Sequence, residues 1–194
     1  MRPRQSGTAG VSDLEARIDR LESLAAIQQL AIQYALAVDG RDLDAWVDLF
    51  IPDVHCGRKG TGRAVLRSTI EAAVRTFYRS IHQICGHRVE FDDADHAHGV
   101  VYCRAEHEDD GKWIVMAIAY FDSYERRDGQ WYFVRRREKH WYAADWEERP
   151  TAPFTGWAAH DNPPELPQGF ASWNPFWASE DNDRLAKLTA KPTG

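Results

Sequence analysis

Apolar residues recur at every third or fourth position near the N-terminus and predict one long amphipathic helix. This stripe runs from Leu14 to Val38 and stops before Gly40, a residue type that often caps the C-terminus of a helix. Ser12 and Glu15 have the spacing of a capping box. We therefore expect the helix to begin at Ser12 and to end at Gly40.

Two shorter helices are predicted to follow the long one. The stretch RDLDAWVDLF places Trp46 and Phe50 on one helical face and is stopped by Pro52. Residues 63–78 repeat the helical spacing and predict a third helix. Between these two helices, residues 53–58 are predicted to form a short strand.

After residue 80 the apolar pattern changes to strand-like runs that are rich in β-branched and aromatic residues. These runs are HRVEF, GVVYCRAEHE, WIVMAIAYFDSYERR and WYFVRRREKHWYA. The Asp128-Gly129 pair between the last two is typical of a two-residue hairpin turn. Helices followed by an antiparallel meander predict an α+β fold, with the sheet wrapped around the long helix as a cone.

The last strand-like run contains Arg135, Arg136 and Arg137. Alternate residues of a strand face opposite sides, so at most two of these three can face the interior. Phe133 shares parity with Arg135 and Arg137, which predicts that Arg136 lies on the opposite face from Phe133. A β-bulge in between would reverse this assignment.

Composition narrows the classes of function. The 194 residues include 24 Lys plus Arg and 30 Asp plus Glu, for a net charge of −6, which argues against nucleic-acid binding. No apolar run approaches the roughly 20 residues that span a bilayer, and the basic start lacks the apolar region of a secretory signal. Three widely spaced cysteines favour reduced thiols in a cytoplasmic protein, with no disulfide framework.

The composition also divides the chain into three parts. Residues 1–11 are small and polar and are predicted to be disordered, and residues 12–142 form the predicted domain. Residues 143–194 hold most of the prolines and half of the tryptophans. Because disordered segments are usually poor in aromatic residues, we expect this extension to pack on the cone or on a neighbouring subunit, as a lid or an arm.

Two polar residues in apolar surroundings are candidates for acid–base chemistry. Asp39 ends the long helix, where the helix dipole disfavours a carboxylate that lacks a cationic or hydrogen-bonding partner. His82 lies in SIHQICGH, at the predicted step from the third helix to the sheet. A carboxylate on one imidazole nitrogen would leave the other free to take a proton from a substrate. A structural role for each residue stays open at this point.

Other kinds of chemistry have less support in the sequence. No Gly-x-Ser-x-Gly element is present, which argues against acyl-enzyme catalysis. His96 and His98 share a strand face, but no further ligands follow at a recognisable spacing, so we expect no functional metal. Phosphate-loop and dinucleotide-binding motifs are also absent from the sequence.

The stretch LEARIDRLESLAAIQQLAIQYALAVDGRDLDAWVDLFIPDV resembles the opening of SnoaL-like members of the nuclear transport factor 2-like superfamily. Farther on, SIHQICGHRVEF and YFDSYERRDGQWYFVRRR resemble the histidine-bearing strand and the closing hairpin of that family. The resemblance covers residues 12–142 in order. It implies a cone-shaped α+β barrel in which a long N-terminal helix packs in a curved, mostly antiparallel sheet.

Within this superfamily the pattern is most similar to the cofactor-free lyases, which include scytalone dehydratase, hexachlorocyclohexane dehydrochlorinase and bile acid 7α-dehydratase. The resemblance implies that Asp39 and His82 form a catalytic dyad and that Tyr34 donates a hydrogen bond. It also implies that Arg136 or His140 assists the leaving group and that the reaction needs no cofactor.

The resemblance further implies a cavity lined by Trp46, Phe50 and strand aromatics such as Tyr120, and hence a hydrophobic polycyclic or aromatic substrate. It implies a homo-oligomer, either a trimer or a dimer. Two departures leave the substrate and the leaving group open. Gly86 stands where the family often has asparagine, and Tyr34 replaces the lysine of the dehydrochlorinase.

Three functions are compatible with this sequence. The first is a lyase that performs a dehydratase-like elimination, and the second is an isomerase or a polyketide-type cyclase that uses the same dyad. The third is a non-catalytic module that binds a small molecule or a protein. This third function predicts that Asp39 and His82 are too far apart to pair, or that side chains fill the cone.

Overall fold

The long N-terminal helix extends farther than its capping motif predicts. The computed structural model describes residues 8–109 and 111–147, together with residues 169, 171 and 173–178. Helix α1 spans Thr8–Asp39 and so begins before Ser12. The helix therefore includes the end of the segment that was expected to be disordered, whereas residues 1–7 lie outside the described part of the chain.

The buried apolar residues of α1 lie in its C-terminal half. Ile27 and Ala31 are fully buried there, in register with the predicted apolar stripe. Leu14, Ile18 and Leu21 continue the same stripe toward the N-terminus but are exposed. Helical spacing correctly predicted the apolar face, but it could not show how far along α1 the packing partners reach.

The C-terminus of α1 closes with a Schellman motif. The amide of Asp42 donates to the carbonyl of Ala37 at 2.9 Å, and the amide of Arg41 donates to that of Val38 at 3.1 Å. The left-handed residue of the motif is Arg41, with φ at 59°, and Gly40 precedes it. The helix ends at Asp39 and Gly40 follows it as the C-cap, as predicted, while the left-handed conformation falls on the next residue, Arg41.

Two short helices follow and cover one end of the sheet. Helix α2 spans Leu43–Asp48, and the carboxylate of Asp42 caps it by accepting from the amide of Ala45 at 3.0 Å. Helix α3 spans Arg63–Val74 and ends before residue 78, the predicted boundary. Residues 53–58 do not form the predicted strand, because this segment makes only an isolated bridge and enters a 3₁₀ turn at Gly57–Lys59.

The remainder of the fold is an antiparallel meander, as the strand-like runs predicted. Its strands are β1 (Arg79–Phe91), β2 (His96–Asp109), β3 (Lys112–Arg127) and β4 (Gln130–Asp145), in that spatial order. Asp128 and Gly129 both have positive φ, at 51° and 79°, which is the geometry of a type I′ hairpin turn. The α+β prediction is confirmed, since the helices pack on one face of a curved antiparallel sheet.

Three register shifts interrupt the ladders and change which side chains face the helices. They fall at Cys85 in β1 and at Val134 and Trp141 in β4, where one strand has one residue more than its neighbour. Each extra residue reverses the in–out alternation of its strand beyond that point. The shift at Val134 matters most for the site, since the arginines of β4 follow it.

The core lies between the sheet and the C-terminal half of α1. Tyr120, Tyr124 and Phe133 are among the largest fully buried side chains. Tyr124 and Phe133 belong to one core cluster with Ile27 of α1, and Tyr120 belongs to a second cluster with Val101 of β2. Removing an apolar side chain of this size from water contributes about 1.5–3 kcal/mol to folding. Above this core the sheet and the helix ends leave a cavity.

Most of the C-terminal extension lies outside the described residues. Strand β4 continues to Asp145, beyond the boundary predicted at residue 143, and a short helix α4 spans Trp173–Ala178. The expectation that residues 143–194 pack on the cone or on a neighbour falls largely on the part that is not described. Among the described helices, none is long and apolar enough to cross a membrane.

Candidate active site

The end of α1 meets the start of β1 through an aspartate–histidine pair. The Nδ1 atom of His82 lies 2.7 Å from Oδ1 of Asp39, and the backbone amide of His82 donates to Oδ2 of Asp39 at 2.8 Å. His82 lies within β1 and not at the step that precedes it. The two bonds fix both the ring and the backbone of His82 against a single carboxylate.

Two further residues hold this carboxylate in place. The hydroxyl of Ser80 donates to Oδ1 of Asp39 at 3.0 Å, and Nη1 of Arg41 donates to the hydroxyl of Ser80 at 2.9 Å. The same Nη1 also donates to the carbonyl of Val38 at 2.7 Å. Because Arg41 joins the helix end to β1, the left-handed turn at this residue positions the pair.

The electrostatics of the pair favour an ionised aspartate. Burial raises the pKa of Asp39, but the hydrogen bonds from His82 and Ser80 outweigh burial and hold this pKa below its usual value. An ionised carboxylate accepts the proton on Nδ1 of His82, so the neutral ring keeps its lone pair on Nε2. The ring of His82 retains only 8% of its surface accessible, and it belongs to the cavity wall.

The cavity beside His82 has a volume of about 250 Å³. Its apolar wall comes from α1, α3 and the sheet and consists of Val38, Ile70, Ala73, Val74, Phe77, Met116 and Ile118. The polar part of the wall, in which we include the two tyrosines, consists of Tyr34, Arg41, Thr76, Ser80, His82, His107, Tyr120, Glu138 and His140. An apolar surface combined with polar groups that converge on the same space is the usual form of a small-molecule site.

Both predicted tyrosines line this cavity. The ring of Tyr34 stands edge-on to that of His82, with 6.5 Å between centroids, and lies 5.9 Å from the ring of Tyr120. Burial raises the pKa of Tyr34 well above its usual value, although the nearby Arg136 opposes this shift. Tyr34 is therefore a neutral hydroxyl, which can donate a hydrogen bond at physiological pH.

The structure does not place two of the predicted wall residues at the cavity. Trp46 and Phe50 are buried in the core below it, with their ring centroids 4.9 Å apart. Trp46 is not in the cavity wall, but its ring lies 5.6 Å from that of Tyr34, which is. The helical pattern identified both as inward-facing, but it could not separate a cavity wall from the filled core.

Arg136 faces the interior, contrary to strand parity, because the bulge at Val134 reverses the alternation. Its guanidinium forms a two-pronged ion pair with Asp122, at 3.0 Å and 2.7 Å. The side chains of Arg136 and Asp122 retain 5% and 0% of their surface. Arg136 lies beneath the cavity and is not among the residues of its wall, and its expected contact with a leaving group stays a prediction.

Aromatic rings enclose the Arg136 guanidinium. Its central carbon lies 4.3 Å from the ring centroid of Tyr34, 4.2 Å from that of Tyr120 and 4.4 Å from that of Phe133. Such cation–π contacts stabilise a desolvated arginine. Arg136 therefore supports the two cavity tyrosines from below.

His140 does line the cavity, as predicted, and it has an acidic partner that the sequence did not reveal. Its Nε2 atom lies 2.7 Å from Oε1 of Glu138, two residues earlier on β4. Both side chains face the cavity because they follow the same bulge as Arg136. Once Arg136 is placed inside, strand alternation would have identified Glu138 and His140 together.

His107 is a third histidine of the cavity wall, and the sequence analysis did not identify it. Its ring lies 5.4 Å from that of His82, edge-on, and 4.3 Å from the ring of Phe77. Burial, and then the nearby His82, lower the pKa of His107 to about 3, so it is neutral at physiological pH. Alternation along β2 from the buried Val101, Cys103 and Ala105 was the available signal for its inward orientation.

Several known proteins are similar to this chain in sequence or in fold. The SnoaL-like domain profile matches residues 19–137. The γ-hexachlorocyclohexane dehydrochlorinase of Sphingobium indicum is 31% identical over 126 residues, which cover 61% of this chain and 81% of that protein.

Two solved structures illustrate the likeness in three dimensions. The hexachlorocyclohexane dehydrochlorinase of type 3 from Novosphingobium barchaimii superposes with a TM-score of 0.61 at 26% identity, over 71% of this chain and 99% of that one. An NTF2-like protein with a cystatin-like fold from Novosphingobium aromaticivorans gives a TM-score of 0.56 at 22% identity, over 68% and 90% of the two chains. The second likeness concerns the fold alone.

Proposed function

This chain belongs to the SnoaL-like family, and we propose that it is a cofactor-independent lyase in which His82, oriented by Asp39, is the base. Two of the similar proteins are dehydrochlorinases, which supports an enzyme of this family and a lyase or isomerase type of reaction. The observation that carries the proposal is the 2.7 Å contact between Asp39 and His82 at the wall of an apolar cavity.

The proposed reaction is an elimination. Nε2 of His82 removes a proton from a carbon next to an activating group, and the electrons of that C–H bond form the new double bond as the bond to the leaving group breaks. The neutral hydroxyl of Tyr34 donates a hydrogen bond to the negative charge that develops. If the leaving group is hydroxide, the proton on His82 passes to it and water departs, so both groups return to their starting states.

The remaining cavity residues suit assisting roles. Arg136 is paired with Asp122 below the cavity, so it acts on the substrate only through the tyrosines that it supports. His140 and His107 are in the cavity wall, and His140 is the better candidate to contact the leaving group because Glu138 orients its ring. The apolar wall supports a hydrophobic aromatic or polycyclic substrate that fits about 250 Å³.

Two alternative functions make different predictions. A non-catalytic module required that Asp39 and His82 be too far apart to pair or that the cone be filled, and both the 2.7 Å contact and the cavity argue against it. An isomerase or cyclase that uses the same pair stays possible, because Glu138 and His140 could return a proton at another carbon. Such an enzyme would give a product of unchanged mass.

Mass spectrometry separates elimination from isomerisation. Incubation of the protein with a panel of hydroxylated and halogenated ring compounds should give a product lighter by one water or one hydrogen halide. His82→Ala should lower the rate by about 10²–10⁴-fold, the usual contribution of a positioned general base. The matched control is His55→Ala at an exposed position outside the cavity. Products of unchanged mass would favour the isomerase, and full activity in a folded His82→Ala variant would contradict the mechanism.

A further inference from the structure

The cavity contains a second acid–histidine pair in addition to Asp39 and His82. Glu138 and His140 come from alternate positions of β4, and both contribute to the cavity wall. His140 is almost completely buried, with 3% of its side-chain surface accessible, whereas Glu138 keeps 36%. Glu138 therefore offers a ligand in the cavity more accessible surface than His140 does.

The charge of Glu138 determines what kind of group it can bind. Burial raises its pKa, but the close contact with His140 lowers it, and the pKa lies below its usual value. Glu138 is thus a carboxylate at neutral pH and can only accept hydrogen bonds. His140 occupies one acceptor position, and a carboxylate has about four, so acceptor capacity remains for a ligand.

We infer that Glu138, held by His140, accepts a hydrogen bond from the substrate, and that the substrate is therefore an apolar ring compound that carries a free hydroxyl group. This inference rests on the proposed function only in assuming that the substrate occupies this cavity. It assigns the two acid–histidine pairs different tasks, since His82 takes the proton and Glu138 selects and orients the molecule.

Other ligand classes fit Glu138 less well. A fully halogenated ring has no donor, so binding it would remove water from the carboxylate without replacing the lost hydrogen bond. A carboxylate or phosphate group would be repelled by Glu138. An ammonium group would have to lose its own strongly held water on entering a cavity with a mainly apolar wall. A neutral hydroxyl avoids all three costs.

Isothermal titration calorimetry at pH 7 with 2-naphthol and 2-methoxynaphthalene tests this inference without any turnover. The two probes are similar in shape, but only 2-naphthol can donate a hydrogen bond. The wild-type protein should bind 2-naphthol about tenfold or more tightly, because hydrogen bonds to charged groups are the strong ones. In Glu138→Gln, which keeps the size of the side chain, this preference should fall to about threefold or less.

The matched control is His82→Ala, which should lose turnover but keep the preference for 2-naphthol. Binding of 2-methoxynaphthalene reports whether each variant retains a folded cavity. If Glu138→Gln does not fold, the inference is tested by the affinities of the wild-type protein for 2-naphthol and 2-methoxynaphthalene. Equal affinities, binding of neither probe, or a preference that disappears in His82→Ala but persists in Glu138→Gln would each overturn the inference. None of these outcomes depends on whether the reaction is an elimination.

Discussion

At the scale of single residues, Asp39 illustrates how the fold makes an unfavourable position useful. A carboxylate at a helix C-terminus faces the negative end of the helix dipole. Three hydrogen bonds, two from His82 and one from Ser80, nevertheless lower its pKa. The sequence identified Asp39 as an acid in need of a partner, but Ser80 and Arg41 could not be predicted because their bonds depend on the left-handed turn at Arg41.

His107 leads to a prediction about stability and pH. The pKa of His107 is about 3 in the folded protein, whereas an unfolded histidine has its usual value of 6.5. Below pH 6.5 the unfolded chain therefore binds a proton that the folded protein excludes, and stability falls as the pH is lowered toward 3. His107→Gln, which cannot titrate, should reduce the slope of the unfolding free energy against pH by about 1.4 kcal/mol per pH unit in this window.

Urea denaturation at several pH values between 3 and 7 measures this slope. His55→Gln, at an exposed position, is the control and should leave the wild-type slope unchanged. A His107→Gln variant with the same slope as the wild type would show that His107 is protonated in the folded state. That result would also mean that the histidine at this position of the cavity wall is charged and not neutral.

At the scale of elements, the features that could be predicted are those that depend on a short stretch of sequence. The type I′ turn at Asp128-Gly129 and the three pairs of adjacent strands follow from short sequence patterns, and the structure confirms them. The bulge at Val134 has no such pattern, because an extra residue in one strand is visible only against its neighbour. That single residue brought Arg136, Glu138 and His140 to the inner face of the sheet.

The bulge makes a clear prediction for two neighbouring arginines. Arg136→Met should lower the free energy of unfolding by about 3–5 kcal/mol, because it leaves the carboxylate of Asp122 buried without its partner. Arg135→Met, one residue earlier and exposed on the other face, should change stability by less than about 0.5 kcal/mol. Chemical denaturation of both variants measures the difference, and similar losses for the two would place Arg136 outside the interior.

At the scale of the whole molecule, the order of helices and strands was enough to predict the α+β architecture, whereas the family followed from a resemblance in sequence over residues 12–142. It was not enough to predict which aromatic residues surround the cavity, since Trp46 and Phe50 fill the core while Tyr34 and Tyr120 reach the cavity wall. That distinction arises from how α1, α3 and β4 meet in space. The packing of residues 143–194 and assembly into a dimer or trimer stay predictions.

The central claim is that Asp39 and His82 act as one catalytic unit, and a double-mutant cycle tests it most directly. The measurement is kcat/KM for Asp39→Asn, for His82→Ala and for the double variant, with circular dichroism to verify that each is folded. If Asp39 acts only through His82, the double variant should be no slower than His82→Ala alone. Losses that multiply in the double variant would show that the two residues act independently and would contradict this account.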